Sequence, residues 1–140
     1  MTPDQMQRVR SSFALVLPIA APAATLFYNN LFEADPALRK LFKGDMNAQG
    51  ERLMQMIGTA VGLLDRPQVL LPALRQLGAR HVGYGVQPAH YTVVGSALLK
   101  TLGQGLGDAF DAATEEAWVA MYTIVSTTMI EAASQETASA

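Results

Sequence analysis

The chain of 140 residues has no cysteine and only two histidines, His81 and His90. Without cysteine there is no disulfide framework and no thiolate-held metal. Charge of one sign is also missing: ten Lys and Arg face twelve Asp and Glu, a net charge of −2. The basic residues are scattered, so no basic stripe suits nucleic acid. No continuous apolar run approaches the ~20 residues of a membrane span. Residues 13–24, FALVLPIAAPAA, follow Arg8 and Arg10 and imitate a secretory signal with an A-x-A end. Pro18 and Pro22 interrupt that run, Asp4 sits in the supposed basic region, and Leu26, Phe27 and Leu31 continue an amphipathic pattern past the supposed cleavage point. A soluble, cytoplasmic protein that does not engage a membrane is therefore expected. Sustained period-2 alternation and Asn-Gly or Asp-Gly hairpin signals are absent as well, which argues against β-structure.

What is present reads as helix. Half of the residues are apolar, enough for the core of one domain, and they recur at spacings of three and four. The fold class expected is all-α, with one domain over residues 1–135 and a disordered polar tail over 136–140. Thr2 and Asp4 can cap a first helix to about Leu17, where Pro18 stops it, and Pro22 suits the first turn of a second helix through Phe32. Asp35-Pro36 opens a short turn of helix ending near Phe42, and Lys43 to Ala48 reads as a loop. Further helices are predicted from about Gln49 to Leu64, from Pro67 and Pro72 to His81, from Pro88 and His90 to about Leu106, and from Ala112 to about Ala133.

The stretch from Leu74 to Tyr91 holds both histidines. Leu70, Leu71, Leu74, Leu77 and Gly78 lead at helical spacing to His81, and Gly83 and Gly85 then end the helix. Taken alone, His81 fits an ordinary core or surface histidine, the more frequent case. A chain so poor in metal ligands could hold a transition metal only in a group that brings most of its own, as haem does. Lacking CxxCH, it would hold haem without a covalent bond. On the helix opening at Gln49, the residues Leu53, Met56, Ile57, Ala60 and Leu64 share one face with Gln49 at its top. A glutamine there is often just the first solvated residue of a helix, yet Gln49 and His81 would face each other across any flat apolar ligand between their helices.

The sequence resembles the globins, in particular the bacterial single-domain globins and the haem domain of flavohaemoglobins. The residues that carry this are LFYNNLFEADPALRKLF (Leu26 to Phe42), LGARHVGYGVQPAHYTVVGSALL (Leu77 to Leu99) and GLGDAFDAATEEAW (Gly105 to Trp118). The resemblance runs from about residue 3 to 133. It implies a three-on-three helical sandwich around non-covalent haem b, with His81 as the iron ligand and Phe42 packed on the porphyrin. Tyr28, Gln49 and Leu53 correspond to the distal pocket, and Leu77, Val86, Val94 and Leu98 to haem-lining positions. Tyr91 matches a tyrosine near the proximal imidazole, whereas His90 falls in the turn opening the next helix and is not a ligand.

Reversible binding of O₂, and of NO and CO, at a five-coordinate iron is what the resemblance implies, with no catalytic residue assigned. Tyr28 and Gln49 as donors, each charge-assisted hydrogen bond worth about 1.5–3 kcal/mol, would together slow O₂ release by roughly two to four decades. Leu53 and Met56 would limit pocket volume. Glutamine at 49 argues against a bis-histidine iron, and Met54 or Met56 at helical core spacing is usually packing. Two departures from the flavohaemoglobin pattern stand out. The 140 residues contain no G-x-G-x-x-G for a dinucleotide, so reduction would need a separate flavin reductase. Ala133 stands where those proteins carry a glutamate that makes the ligand histidine electron-rich, and Glu131 lies about 200° round the helix from it. Two alternatives to gas binding stay open: an NO dioxygenase served by that reductase, and a haem-free regulatory module. The chain is expected as a monomer or homodimer.

Overall fold

The computed structural model describes residues 1–42, 44–83 and 85–139, with side chains to Gln135. Helix α1 (Pro3–Val16) starts where Thr2 accepts a hydrogen bond from the Gln5 amide at 3.1 Å and the Gln5 side chain accepts one from the Thr2 amide at 3.0 Å. That reciprocal pair satisfies two of the amides a helix start leaves open. Pro18 turns the chain through a short 3₁₀ segment (Leu17–Ile19) into α2 (Ala20–Ala34). Asp35 caps a second 3₁₀ segment (Pro36–Leu41), and Asp45 caps α3 (Met46–Gly62) by accepting from the Asn47 amide at 2.9 Å. Then follow α4 (Pro67–Gly83), α5 (Pro88–Leu106), a 3₁₀ turn (Gly107–Ala109) and α6 (Ala112–Ser139). No strand occurs among the described residues, so the all-α class holds.

Three element boundaries differ from those expected. Helix α3 begins at Met46 because Asp45 supplies the cap, inside the segment read as loop. Pro72 lies within α4, not at its entry. Its missing amide deprives the Gln68 carbonyl of a partner, but Gln68 is exposed and water can serve it. Helix α6 continues past Ala133. In addition, the stretch Pro3–Ala34 does reach the length and mean hydropathy, 1.5, of a membrane span. Its inward residues Val9, Phe13, Val16, Ala23, Phe27 and Leu31 are buried in the core.

The helices pair in a crossed arrangement: α4 and α1 pack against α6, α2 packs against α5, and α3 packs on α2 and α1. Helices α3 and α4 share at most a marginal contact between described residues, so each has a side not covered by the other. In the α1–α6 seam the Trp118 indole donates to the Ser12 hydroxyl at 2.8 Å, and Ser12 donates to the Arg8 carbonyl at 2.7 Å. Arg10 ties α1 to the end of α3, donating to the Val61 carbonyl at 3.3 Å and to Asp65 at 2.9 Å.

Glycine sets two close approaches. A Cβ on Gly78 of α4 would overlap the backbone of Met129 on α6, and one on Gly95 of α5 would lie 2.6 Å from the Tyr122 ring. The α4–α6 seam therefore depends on residue 78 having no side chain. Gly78→Ala is expected to destabilise the protein by about 1–3 kcal/mol, the usual cost of overpacking, seen as a lower urea midpoint with unchanged slope. An unchanged midpoint would mean that the seam opens without cost.

Candidate functional site

His81 lies in the last turn of α4, where its Nδ1 is 2.7 Å from the Leu77 carbonyl oxygen, one turn back. A carbonyl only accepts, so Nδ1 carries the proton and Nε2 carries the lone pair that can bind a metal. Burial pulls the His81 imidazole below its ordinary pKa, and the bond to Leu77 works in the opposite direction. The neutral form, which is the ligating form, is thereby favoured. Leu77 and Val86 pack against the larger apolar cluster, the one that contains Leu74, Tyr91 and Met129. Gly85, at φ +83°, turns the chain away from α4 just after the histidine.

The other expected residues gather on α2, α3 and the segment between them. Tyr28 is buried on α2 and donates from its hydroxyl to the Gln49 carbonyl at 3.3 Å, which brings these two residues together. The Phe42 ring meets Tyr28 edge-on at 5.3 Å, and Phe32 stacks on Tyr28 at 6.0 Å. Leu53, Val94 and Leu98 pack in the same smaller cluster as Tyr28 and Phe42. Leu98 also packs against the larger cluster, so it is where the Tyr28 set meets the Leu77 set. Phe42, Gln49, Leu53, Leu77, His81, Val86, Val94 and Leu98 are all half-buried. Partial exposure of so many apolar side chains is what the lining of a slot between α3 and α4 requires.

Two residues on the proximal side were singled out for other roles. His90 accepts from the Gln87 amide at 3.0 Å through its own Nδ1, closing the cap of α5. Tyr91 is buried, and among the described residues its hydroxyl has no hydrogen-bond partner. Burial pushes its phenol pKa up. Its main-chain carbonyl accepts from the Tyr122 hydroxyl at 2.5 Å. Glu131 is exposed and Ala133 is half-buried.

Sequence reasoning missed Arg52. It stands one turn beyond Gln49 on α3 and its charge lowers the Tyr28 pKa, partly offsetting the larger upward push of burial. Its spacing of three from Gln49 was a usable signal. Arg39, over the Phe32 ring at 5.4 Å, was also missed; a cation–π contact has no sequence spacing of its own.

With that geometry in place, comparison with known proteins gives a consistent answer. The globin family model matches residues 25–129. A flavohaemoprotein of Vibrio cholerae is 30% identical over 135 residues, covering 94% of this chain and 34% of that protein. The chain thus spans about a third of that relative's length. Neuroglobin-1 of Oncorhynchus mykiss is 30% identical over 139 residues, covering 89% of this chain and 87% of that one. Among solved structures, an engineered carbene transferase, described as a candidate nitric oxide dioxygenase from Rhodothermus marinus, superposes with a TM-score of 0.86. It is 26% identical, and the superposition covers 99% of this chain and 96% of that one. The chain belongs to the globin family.

The electrostatic balance at Tyr28 can be tested by itself. The phenol should titrate above the ordinary tyrosine value of about 10, and Arg52→Met should move it further up, followed by NMR of labelled tyrosine ring carbons. A titration unmoved by Arg52→Met would show that solvent screens the charge.

Proposed function

We propose that this globin holds haem b non-covalently between α3 and α4, through His81, and binds O₂ reversibly, with NO and CO as competing ligands. The observation that carries the reading is the His81 imidazole: its tautomer is fixed by the Leu77 carbonyl, and it ends a helix flanked by half-buried apolar side chains. The donor set fits the group, because the one imidazole directs Nε2 outward from that bond while the remaining residues offer a flat ligand apolar contact. When bound, haem supplies an iron with one coordination position left for a diatomic gas.

The residues of the chain do the rest. His81 Nε2 binds the metal, and the Leu77 carbonyl keeps that imidazole in one tautomer and orientation. Phe42, Val94 and Leu98 offer apolar contact to a flat ring and exclude water from it. On the Tyr28 side, the phenol and the Gln49 amide are the hydrogen-bond donors available to a polarised gas, and Leu53 restricts the room around them. The raised Tyr28 pKa keeps the phenol protonated, hence a donor, at neutral pH. Its contact with the Gln49 carbonyl is long enough to be exchanged for a stronger acceptor. O₂ gains more from such donors than CO does.

A second reading, an NO dioxygenase turning NO and O₂ into nitrate with electrons from a separate reductase, is favoured by the flavohaemoprotein relatives and by the Rhodothermus neighbour. Sustained nitrate formation from NO and O₂ with a supplied flavin reductase decides between the two, since a single turnover with NO is common to many haem globins.

Absorption spectra of the purified protein should show haem b that is high-spin when reduced and shifts sharply under CO. His81→Ala should abolish stable haem uptake; a mutant retaining the five-coordinate ferrous spectrum would overturn the ligand assignment. Tyr28→Phe should raise the O₂ dissociation rate by about tenfold or more, the value of one good hydrogen bond, with little effect on CO release. Equal rates in the two proteins would show that the phenol stays on the Gln49 carbonyl.

A further inference from the structure

Scattered along the chain, the basic residues are nevertheless unevenly shared between its parts. From residue 37 to residue 100 there are eight Lys and Arg against three Asp and Glu, whereas from residue 101 on there are six Asp and Glu and no Lys or Arg. The fold keeps the two parts in different places. Arg39 and Lys40 stand on the 3₁₀ segment Pro36–Leu41 and Arg52 on α3, elements whose described backbone comes near that of α6 at few points or none. Asp108, Asp111, Glu115 and Glu116 gather at the 3₁₀ turn Gly107–Ala109 and the start of α6.

Three arginines from three elements stand beside residues assigned to the haem site. The Arg39 guanidinium lies 5.4 Å over the Phe32 ring, which meets the Phe42 ring edge-on at 5.5 Å. Arg52 is one turn beyond Gln49, and its charge reaches Tyr28. Arg80 directly precedes His81 in the last turn of α4. All three are exposed. Among the described residues, ion pairs are made only by Arg8 and Arg10, both outside this part of the chain. Of its three acids, Asp65 pairs with Arg10 and Asp45 caps α3, so Glu51 is the one left beside Arg52. Cations on one side with acids elsewhere make a field that steers an incoming charged protein and sets its orientation.

We propose that Arg39, Arg52 and Arg80 form a docking rim for a flavoprotein electron donor whose surface is acidic around its flavin. The proposal rests on the haem-binding reading above: iron that binds O₂ in the ferrous state has to be reduced again once oxidised. The 140 residues hold no G-x-G-x-x-G for a dinucleotide. One electron passes from the reduced flavin of the partner to ferric iron, which becomes ferrous while the flavin is oxidised by one electron, and no atom crosses the interface. Half-buried Phe32 and Phe42 give the rim an apolar centre, and aromatic residues and arginine are the types enriched in protein interfaces. A contact of this kind is small and short-lived, as electron-transfer encounters are.

The probe is a flavodoxin, an acidic flavoprotein. In its oxidised form it is titrated into the labelled intact protein and followed by NMR; amide shifts around Arg39, Arg52 and Arg80 are expected, and they should fade between about 50 and 300 mM salt as screening shortens the reach of the charges. Shifts confined to α6, or indifferent to salt, overturn the rim. In its reduced form it is mixed with the ferric protein in a stopped-flow instrument. The triple variant Arg39→Gln, Arg52→Gln, Arg80→Gln should be reduced about tenfold more slowly or worse, and much less affected when the donor is photoreduced riboflavin, which carries no charge. Equal losses with both donors overturn the proposal, because the change then lies at the iron and not in docking. A variant that takes flavodoxin as the wild type does but loses haem also overturns it, since the arginines would then serve the carboxylates of haem. Flavodoxin shifts at the rim of a protein that takes up no haem would overturn the proposed function and leave the rim standing.

Discussion

The position of His81 depends on how closely α4 can approach α6. Gly78 rests on the backbone of Met129, three residues before the imidazole, so the histidine's height and direction follow from a backbone contact more than from its own surroundings. This contact also explains why α4 can leave its other side uncovered. A helix seated directly on its neighbour's main chain gains dispersion along the seam and does not need a second partner. The sparse contact between α3 and α4 goes with this one-sided anchoring.

On the opposite side, aromatic packing does the corresponding work. Tyr28, Phe32 and Phe42 form a three-ring cluster, with the Arg39 guanidinium over Phe32. Rings at these separations favour edge-on and offset contacts, which hold Tyr28 laterally while its hydroxyl stays on the Gln49 carbonyl. The phenol is thus oriented before any ligand arrives. A donor oriented in advance loses little entropy when it changes acceptor, which suits the donor role proposed for Tyr28.

Much of this was legible in the sequence. Helix type, order and most starts followed from apolar spacing and from Thr2, Pro36 and Pro88. His81 was singled out by its scarcity and the glycines that follow it, and its role as a ligand came only from the resemblance to the globins. The start of α3 was missed because Asp45 was read as part of a polar loop although it can cap. Pro72 was read as a helix entry, but near a helix start a proline costs only one hydrogen bond, and the exposed Gln68 carbonyl absorbs that loss. Arg52 and Arg39 escaped notice because their roles depend on which neighbour they reach in space. A narrow apolar cleft lined by Phe27, Ile57, Leu102 and Trp118 was illegible for a stronger reason: its walls come from α1, α2, α3, α5 and α6, and at each position the residue type is an ordinary core residue. A void is a property of how side chains fail to meet, and no spacing along the chain encodes it.

The Ser12–Trp118 hydrogen bond joins residues 106 apart. The buried half of α1 therefore has its main partner near the far end of the sequence. During synthesis, Val9, Phe13 and Val16 must wait for Trp118 and Met121 to be made before they can be covered, and closing so long a loop carries a real entropic cost. For that interval the segment Pro3–Ala34, apolar enough to pass for a membrane span, is exposed. The nascent chain is thus most exposed to mistargeting and aggregation in its first two helices, the second of which carries Tyr28.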